Sequence, residues 1–149
     1  YLLRKKGGNG TIIFAYIMSR AVRKKPDVYL KYLRKILASV KDQKSCNLII
    51  DKAIYPVLKK NPQEYIDLVI KWIDSENKYF INGIDKLLIK LIHNEPELAK
   101  YVFGKLETSW LYATSPIIKL NTSVLKEIYK TDPEFYFTIY ENYKTTRNP

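Results

Sequence analysis

KNPQEYI, Lys60–Ile66, decides the reading of this chain, because three other stretches restate it: KKPDVYL at Lys24–Leu30, NEPELAK at Asn94–Lys100 and TDPEFYF at Thr131–Phe137. Each sets proline after a polar residue, follows it with an acid or amide, and then turns apolar. Pro26, Pro62, Pro96 and Pro133 are 36, 34 and 37 residues apart. Proline suits the first turn of a helix, where its missing N–H would have had no partner. Asn61 and Asp132 precede it as N-caps. Asp27, Glu64, Glu97 and Glu134 place negative charge where the helix dipole favours it. Each stretch therefore predicts a helix start.

Counting back from the prolines finds a second helix. Five residues before them stand Ala21, Val57, Leu91 and Ile128, and four before stand Val22, Leu58, Ile92 and Tyr129. Eight before are Met18, Ile54, Leu88 and Leu125; nine before are Ile17, Ala53, Leu87 and Val124. These offsets trace one helical face. Arg23, Lys59, His93 and Lys130, three before, put cationic groups near the helix C-terminus. Forward, Leu33, Val69, Phe103 and Tyr140 lie seven beyond, and Ile36, Trp72, Leu106 and Tyr143 lie ten beyond. The predicted unit is helix, tight proline turn, helix.

First helices are expected at about 11–24, 46–59, 78–93 and 115–130, and second helices at about 26–40, 62–74, 96–109 and 133–144. The expected fold is all-α: a right-handed α-α superhelix, or solenoid, of about four helix-turn-helix repeats (about 11–44, 45–75, 76–110 and 111–147) in a single domain. Residues 1–10 read as a linker or the remnant of a preceding helix, with GGNG a stop before Thr11 caps the next one. Pro56 is expected to kink its helix or lie near a bend, and Pro116 to open the fourth unit.

The charge is one-sided. The chain of 149 residues carries a formal net charge of +11. Residues 1–44 hold 12 Lys/Arg against Asp27 and Asp42, or +10; residues 45–149 hold 14 against 13 acids, or +1. Such asymmetry points to an anionic partner. A lysine-rich but otherwise ordinary soluble protein is the plainer alternative. At 46% hydrophobic and 28% charged, the composition is that of a globular chain, with no apolar run near the roughly 20 residues of a membrane span. No membrane insertion is expected. TIIFAYIM, Thr11–Met18, is short and lacks a following cleavage site. The single cysteine, Cys46, excludes an internal disulfide and a cysteine-built zinc cage. A cytoplasmic location is expected. Asn9-Gly10-Thr11 matches a glycosylation acceptor by accident on this reading.

The apolar columns resemble HEAT-like or armadillo-like helical repeats. KYFINGIDKLLIKLIHNEPELAKYVF, Lys78–Phe103, resembles a unit of the HEAT-like-repeat glycosylases that repair alkylated DNA. That resemblance implies the architecture and DNA affinity. It implies no catalytic residue here, because Leu87 and Lys90 stand where an aromatic and an arginine belong.

Candidate chemistry is sparse. GGNGT, Gly7–Thr11, lacks the Gly-Lys-Ser/Thr ending and preceding strand of a phosphate loop. His93 is the single histidine, so neither a metal site nor a histidine-activated nucleophile is supported. Asp74 and Glu76 beside Trp72 could form a carboxylate pair near a stacking aromatic, but Trp72 falls in a core column. Phe135, Tyr136, Phe137, Tyr140 and Tyr143 either stack nucleobases or close the C-terminal core. Lys35, Lys71 and Lys105, nine residues beyond successive prolines, would form a ladder if the second helices stack; Asn142 holds that place in the fourth unit. Lys31 and Arg34 share the first polar stripe, and Arg20, Arg23 and Lys24 add charge on the preceding helix. These eight basic residues are the candidate anion-binding set, against the alternative of a solvated lysine face. Lys25, where the other stretches have Asn61, Glu95 and Asp132, reads as a cap given up for positive charge.

The expected function is a non-enzymatic scaffold that binds an anionic macromolecule, foremost nucleic acid through its backbone. An acidic protein is the other candidate anionic partner; the alternatives are a protein–protein interaction scaffold that binds a peptide or helix in the concave groove, and a DNA alkylation-repair glycosylase. No cofactor, metal or small-molecule substrate is expected.

Overall fold

The structure, a computed structural model, describes residues 7–112 and 114–144. The opening YLLRKK and residues 145–149 lie outside the described residues. Among those described the chain is all-helical, with no strand. It divides into two compact units, Tyr1–Leu87 and Leu88–Pro149, with the division falling inside one long helix.

In the first unit α1 (Gly7–Lys24) is followed by α2 (Pro26–Ser39), α3 (Gln43–Ile49), a π-helical segment (Ile50–Ile54), α4 (Tyr55–Lys60) and α5 (Pro62–Ile70), with a 3-10 turn over Lys71–Asp74. Next comes α6 (Lys78–Asn94), the helix that crosses the division. The second unit continues with a 3-10 turn (Pro96–Leu98), α7 (Ala99–Leu106), a 3-10 segment (Glu107–Tyr112), α8 (Ser115–Thr131) and α9 (Pro133–Lys144).

The four proline corners share one backbone conformation. Lys25, Asn61, Glu95 and Asp132 have φ of −139°, −132°, −132° and −145° and ψ of 75°, 70°, 72° and 75°. The proline ring disfavours the helical region for the residue before it, and at these four corners the helix breaks there, whereas Tyr55 before Pro56 stays helical. The corner residue still serves both helices. Lys25 N–H donates to the Ala21 carbonyl at 3.0 Å, and its own carbonyl accepts from Tyr29 N–H at 3.1 Å. Asn61 and Asp132 repeat the scheme, with Val57 and Ile128 accepting and Tyr65 and Tyr136 donating.

Three local expectations need correction. Gly7–Gly10 is helical and not a stop, and Thr11 lies buried inside α1, 3.4 Å from the Ser45 hydroxyl, so it is no cap. Asn61 makes no side-chain cap bond, and neither do Lys25 and Glu95. Lys25 therefore gives up nothing relative to Asn61 and Glu95, and its charge carries no sign of a sacrificed cap. Asp132 alone of the four caps as expected, accepting from Phe135 N–H at 3.1 Å. A cap absent from the sequence reading is Asp42, which accepts from Lys44 N–H (3.3 Å), Ser45 N–H (3.2 Å) and the Ser45 hydroxyl (2.6 Å). The hydroxyl bond, foremost, holds the Asp42 carboxyl below the usual carboxylate range.

Pro56 acts one turn upstream. Without an N–H it cannot close the helical bond to residue 52, and the chain passes through the π segment, where Tyr55 N–H reaches the Ile50 carbonyl, before α4 begins. Pro116 opens α8.

α1 lies against α3 and the π segment. At Gly83 on α6 the π segment comes close: a Cβ there would sit 2.5 Å from Ile50 Cδ1, so a larger residue would require the end of the Ile50 side chain to move. Beyond the division, His93 Nδ1 on α6 meets Glu127 Oε1 on α8 at 3.1 Å. Burial follows the offset from proline for Leu33, Val69 and Phe103 and for Val22, Leu58 and Ile92, but the fourth members of these two columns, Tyr140 and Tyr129, are exposed. Cys46 is fully buried and burial pushes its thiol up to about 12. At pH 8 only about one thiol in ten thousand would be thiolate, so Cys46 is expected to resist Ellman's reagent in native protein and to react at once in denaturant.

Candidate functional site

α2 is built with two opposed faces. Leu30, Leu33 and Leu37 are buried, and Lys31, Arg34 and Lys35, spaced i, i+3 and i+4, form the exposed stripe. That stripe borders a groove of about 570 Å³ whose remaining wall is Ala38, Leu68 and Trp72. Trp72 is 1% exposed and packs on Phe80 with ring centroids 5.7 Å apart. Its ring belongs to the core and contributes only an edge of the groove floor. Three cations thus stand over an apolar floor within the first unit.

Arg34 is not free charge. Its Nη2 donates to both Asp74 oxygens, at 2.9 and 3.0 Å. Both side chains are about half exposed, so the pair contributes at most about 1 kcal/mol, but it holds the guanidinium at the groove rim. The imagined carboxylate pair of Asp74 and Glu76 is therefore not what Asp74 serves. The groove's uncompensated charge comes from Lys31 and Lys35.

The other candidates are dispersed. Arg20, Arg23 and Lys24 are exposed on α1 and do not line the groove. Lys71 is exposed and lies 3.6 Å from Asp67, one helical turn away. In the second unit Lys105 is half-buried, its ammonium 5.5 Å from the Tyr101 ring. Lys35 and Lys71 thus share the first unit and Lys105 belongs to the second. In the sequence Asp74 stood out only as part of a carboxylate pair and Asp67 not at all; the pairing of Asp74 with Arg34 and of Asp67 with Lys71 escaped sequence reasoning.

The aromatic cluster separates into two groups. Phe135 and Tyr143 close around buried Phe103, at 5.8 and 6.5 Å, with Trp110 4.8 Å from Tyr143; these three rings are half-buried and border the core of the second unit. Tyr136 and Phe137 gather instead around Tyr129. Beside them Thr122, Leu125, Lys126 and Lys130 line a hollow of about 420 Å³. His93 is exposed with Glu127 nine-tenths buried beneath it. Among the described residues no group of three or more His, Cys, Asp or Glu is placed to hold a metal, and no helix is long and apolar enough to cross a membrane.

Comparison with family models, with curated proteins and with solved structures finds no match for this chain.

Proposed function

We propose that this chain is a HEAT-like or armadillo-like helical-repeat scaffold that binds an anionic macromolecule, with the nucleic-acid backbone as the ligand. Support for the stacked architecture comes from the shared corner geometry and from the sequence of helix contacts: α1 on α3, α3 and the π segment on α6 at Gly83, α6 on α8 through His93 and Glu127. Stacked pairs present a long continuous surface, which is how such proteins hold extended ligands.

The observation that carries the binding reading is the convergence of Lys31, Arg34 and Lys35 on one groove. Phosphates satisfy the ammonium groups and Arg34 at its rim, and sugar or base covers the apolar floor of Leu68 and Ala38. The charge of the amino-terminal third, +10 over residues 1–44, draws a polyanion to this unit by long-range attraction.

Fluorescence polarisation with a labelled oligonucleotide at 50 and 200 mM salt tests this. About six phosphate contacts give a slope of log K against log salt near −5 on duplex DNA. Lys31→Glu/Lys35→Glu is expected to weaken binding at least tenfold at low salt and to make the slope shallower by about 2. Unchanged affinity in that variant, or no binding at low salt, defeats the reading. A stoichiometric acidic protein that is captured through the same two lysines after nuclease treatment would replace nucleic acid as the ligand.

A further inference from the structure

The groove of the first unit has unlike walls. All three cations that line it, Lys31, Arg34 and Lys35, stand on α2. The remaining wall carries no charge: Leu68 on α5, the edge of Trp72 in the 3-10 turn after it, and Ala38 at the far end of the α2 stripe. Charge around the two sides differs in the same sense. α2 sets its three cations against Asp27, whereas α5 and its turn set Lys71 against Glu64, Asp67 and Asp74. Lys71 lies 3.6 Å from Asp67, so the α5 side presents no excess of positive charge to the groove.

Duplex and single strand meet such a groove differently. A duplex keeps its bases stacked inside and shows phosphates on both flanks. Seated here, one flank would meet the α2 cations and the other would meet Leu68 and the acids around it. A single strand separates its chemistry, with phosphates along one edge and base faces open to cover apolar surface. That division matches a groove that is cationic on one side and apolar on the other.

We infer that the groove takes single-stranded nucleic acid in preference to duplex, with Lys31, Lys35 and the rim guanidinium of Arg34 on the phosphates and base faces against Leu68, Ala38 and the Trp72 edge. This rests on the nucleic-acid reading of the groove and narrows it to one class of strand. Leu68 and Ala38 have no hydrogen-bonding side chain, so they accept a base by its face without reading its edges, and a homopolymer serves as the probe. An acidic amphipathic peptide divides its faces in a similar way. The +10 charge of residues 1–44 favours the strand, whose charge continues past the three groove contacts.

Fluorescence polarisation of the 149-residue chain at low salt tests this with labelled probes of about 12 nucleotides: oligothymidylate, a strand of equal length with every base removed, and a blunt duplex. Oligothymidylate is expected to bind at least about tenfold tighter than either of the others. Leu68→Asn is expected to bring the three probes within about threefold of one another, whereas Lys31→Glu/Lys35→Glu weakens all three. Circular dichroism reports whether Leu68→Asn folds, and the baseless strand makes the same comparison on the wild-type chain. A duplex or baseless strand bound as tightly as oligothymidylate overturns the single-strand preference and leaves the phosphate grip of the groove standing. A folded Leu68→Asn chain that keeps the full preference overturns it too, by moving base contact out of the groove. Failure of every probe to bind removes the nucleic-acid reading itself and the preference with it. An acidic amphipathic peptide that binds through Lys31 and Leu68, where oligothymidylate does not bind, replaces the strand with a protein.

Discussion

Trp72→Ala is expected to destabilise the protein by about 3–5 kcal/mol, the range for removing a large aromatic from a packed core. Trp72 is 1% exposed, and Phe80 supports its ring at 5.7 Å. Truncation leaves a void between the 3-10 turn that ends α5 and the first turn of α6, where Phe80 stands. Urea unfolding followed by circular dichroism measures the loss as a lower midpoint at unchanged slope. Trp72→Phe should recover most of it. A loss below about 1 kcal/mol for Trp72→Ala would mean that the first unit can collapse around the site.

Asn77 carries the second large effect. Its Nδ2 donates to the carbonyls of Leu37 (2.9 Å), Ala38 (3.1 Å) and Val40 (2.7 Å), at the end of α2, while its Oδ1 accepts from Tyr79 N–H at 3.0 Å, at the start of α6. One half-buried amide thus terminates one helix and begins another 40 residues away. Asn77→Ala leaves these partners unmatched and costs about 1–3 kcal/mol. Asn77→Asp is expected to cost more at neutral pH, because a carboxylate faces three carbonyl oxygens. Those oxygens raise the folded-state pKa of the introduced carboxyl above its unfolded value. The added penalty is therefore full above the raised folded pKa and vanishes below about pH 3.9, where both states are protonated. Thermal melts of the two variants at pH 3.5 and pH 7 check both the order and the sign.

The corners were legible because proline acts on its immediate neighbour: a local steric preference, joined at these four sites to polar and acidic residues around the proline, marks where the helix breaks. The apolar columns were legible for a related reason, since a helix converts spacing into a face. What escaped was whatever depends on a distant partner. Nothing in the neighbourhood of Asn77 announces three carbonyl acceptors at Leu37, Ala38 and Val40. The pairing of Arg34 with Asp74 spans 40 residues, and it changes a presumed free cation into a rim group. Thr11 was read as a cap from the glycines before it, but packing of α1 on α3 extends the helix through them. Of the eight basic candidates, Lys31, Arg34 and Lys35 share a groove because they share one helical stripe; no equally local rule joins them to Lys105.

The corner residue has a consequence for how charge can be distributed along this chain. Its conformation needs no glycine, and three of the four corner side chains make no capping bond, so the backbone places little demand on what stands there. These positions can be recoloured without rebuilding the helices on either side. From the first corner to the last the chain uses Lys25, Asn61, Glu95 and Asp132, stepping from positive through neutral to negative. The joints thus write an electrical polarity along the sequence, independently of the buried columns that build the fold.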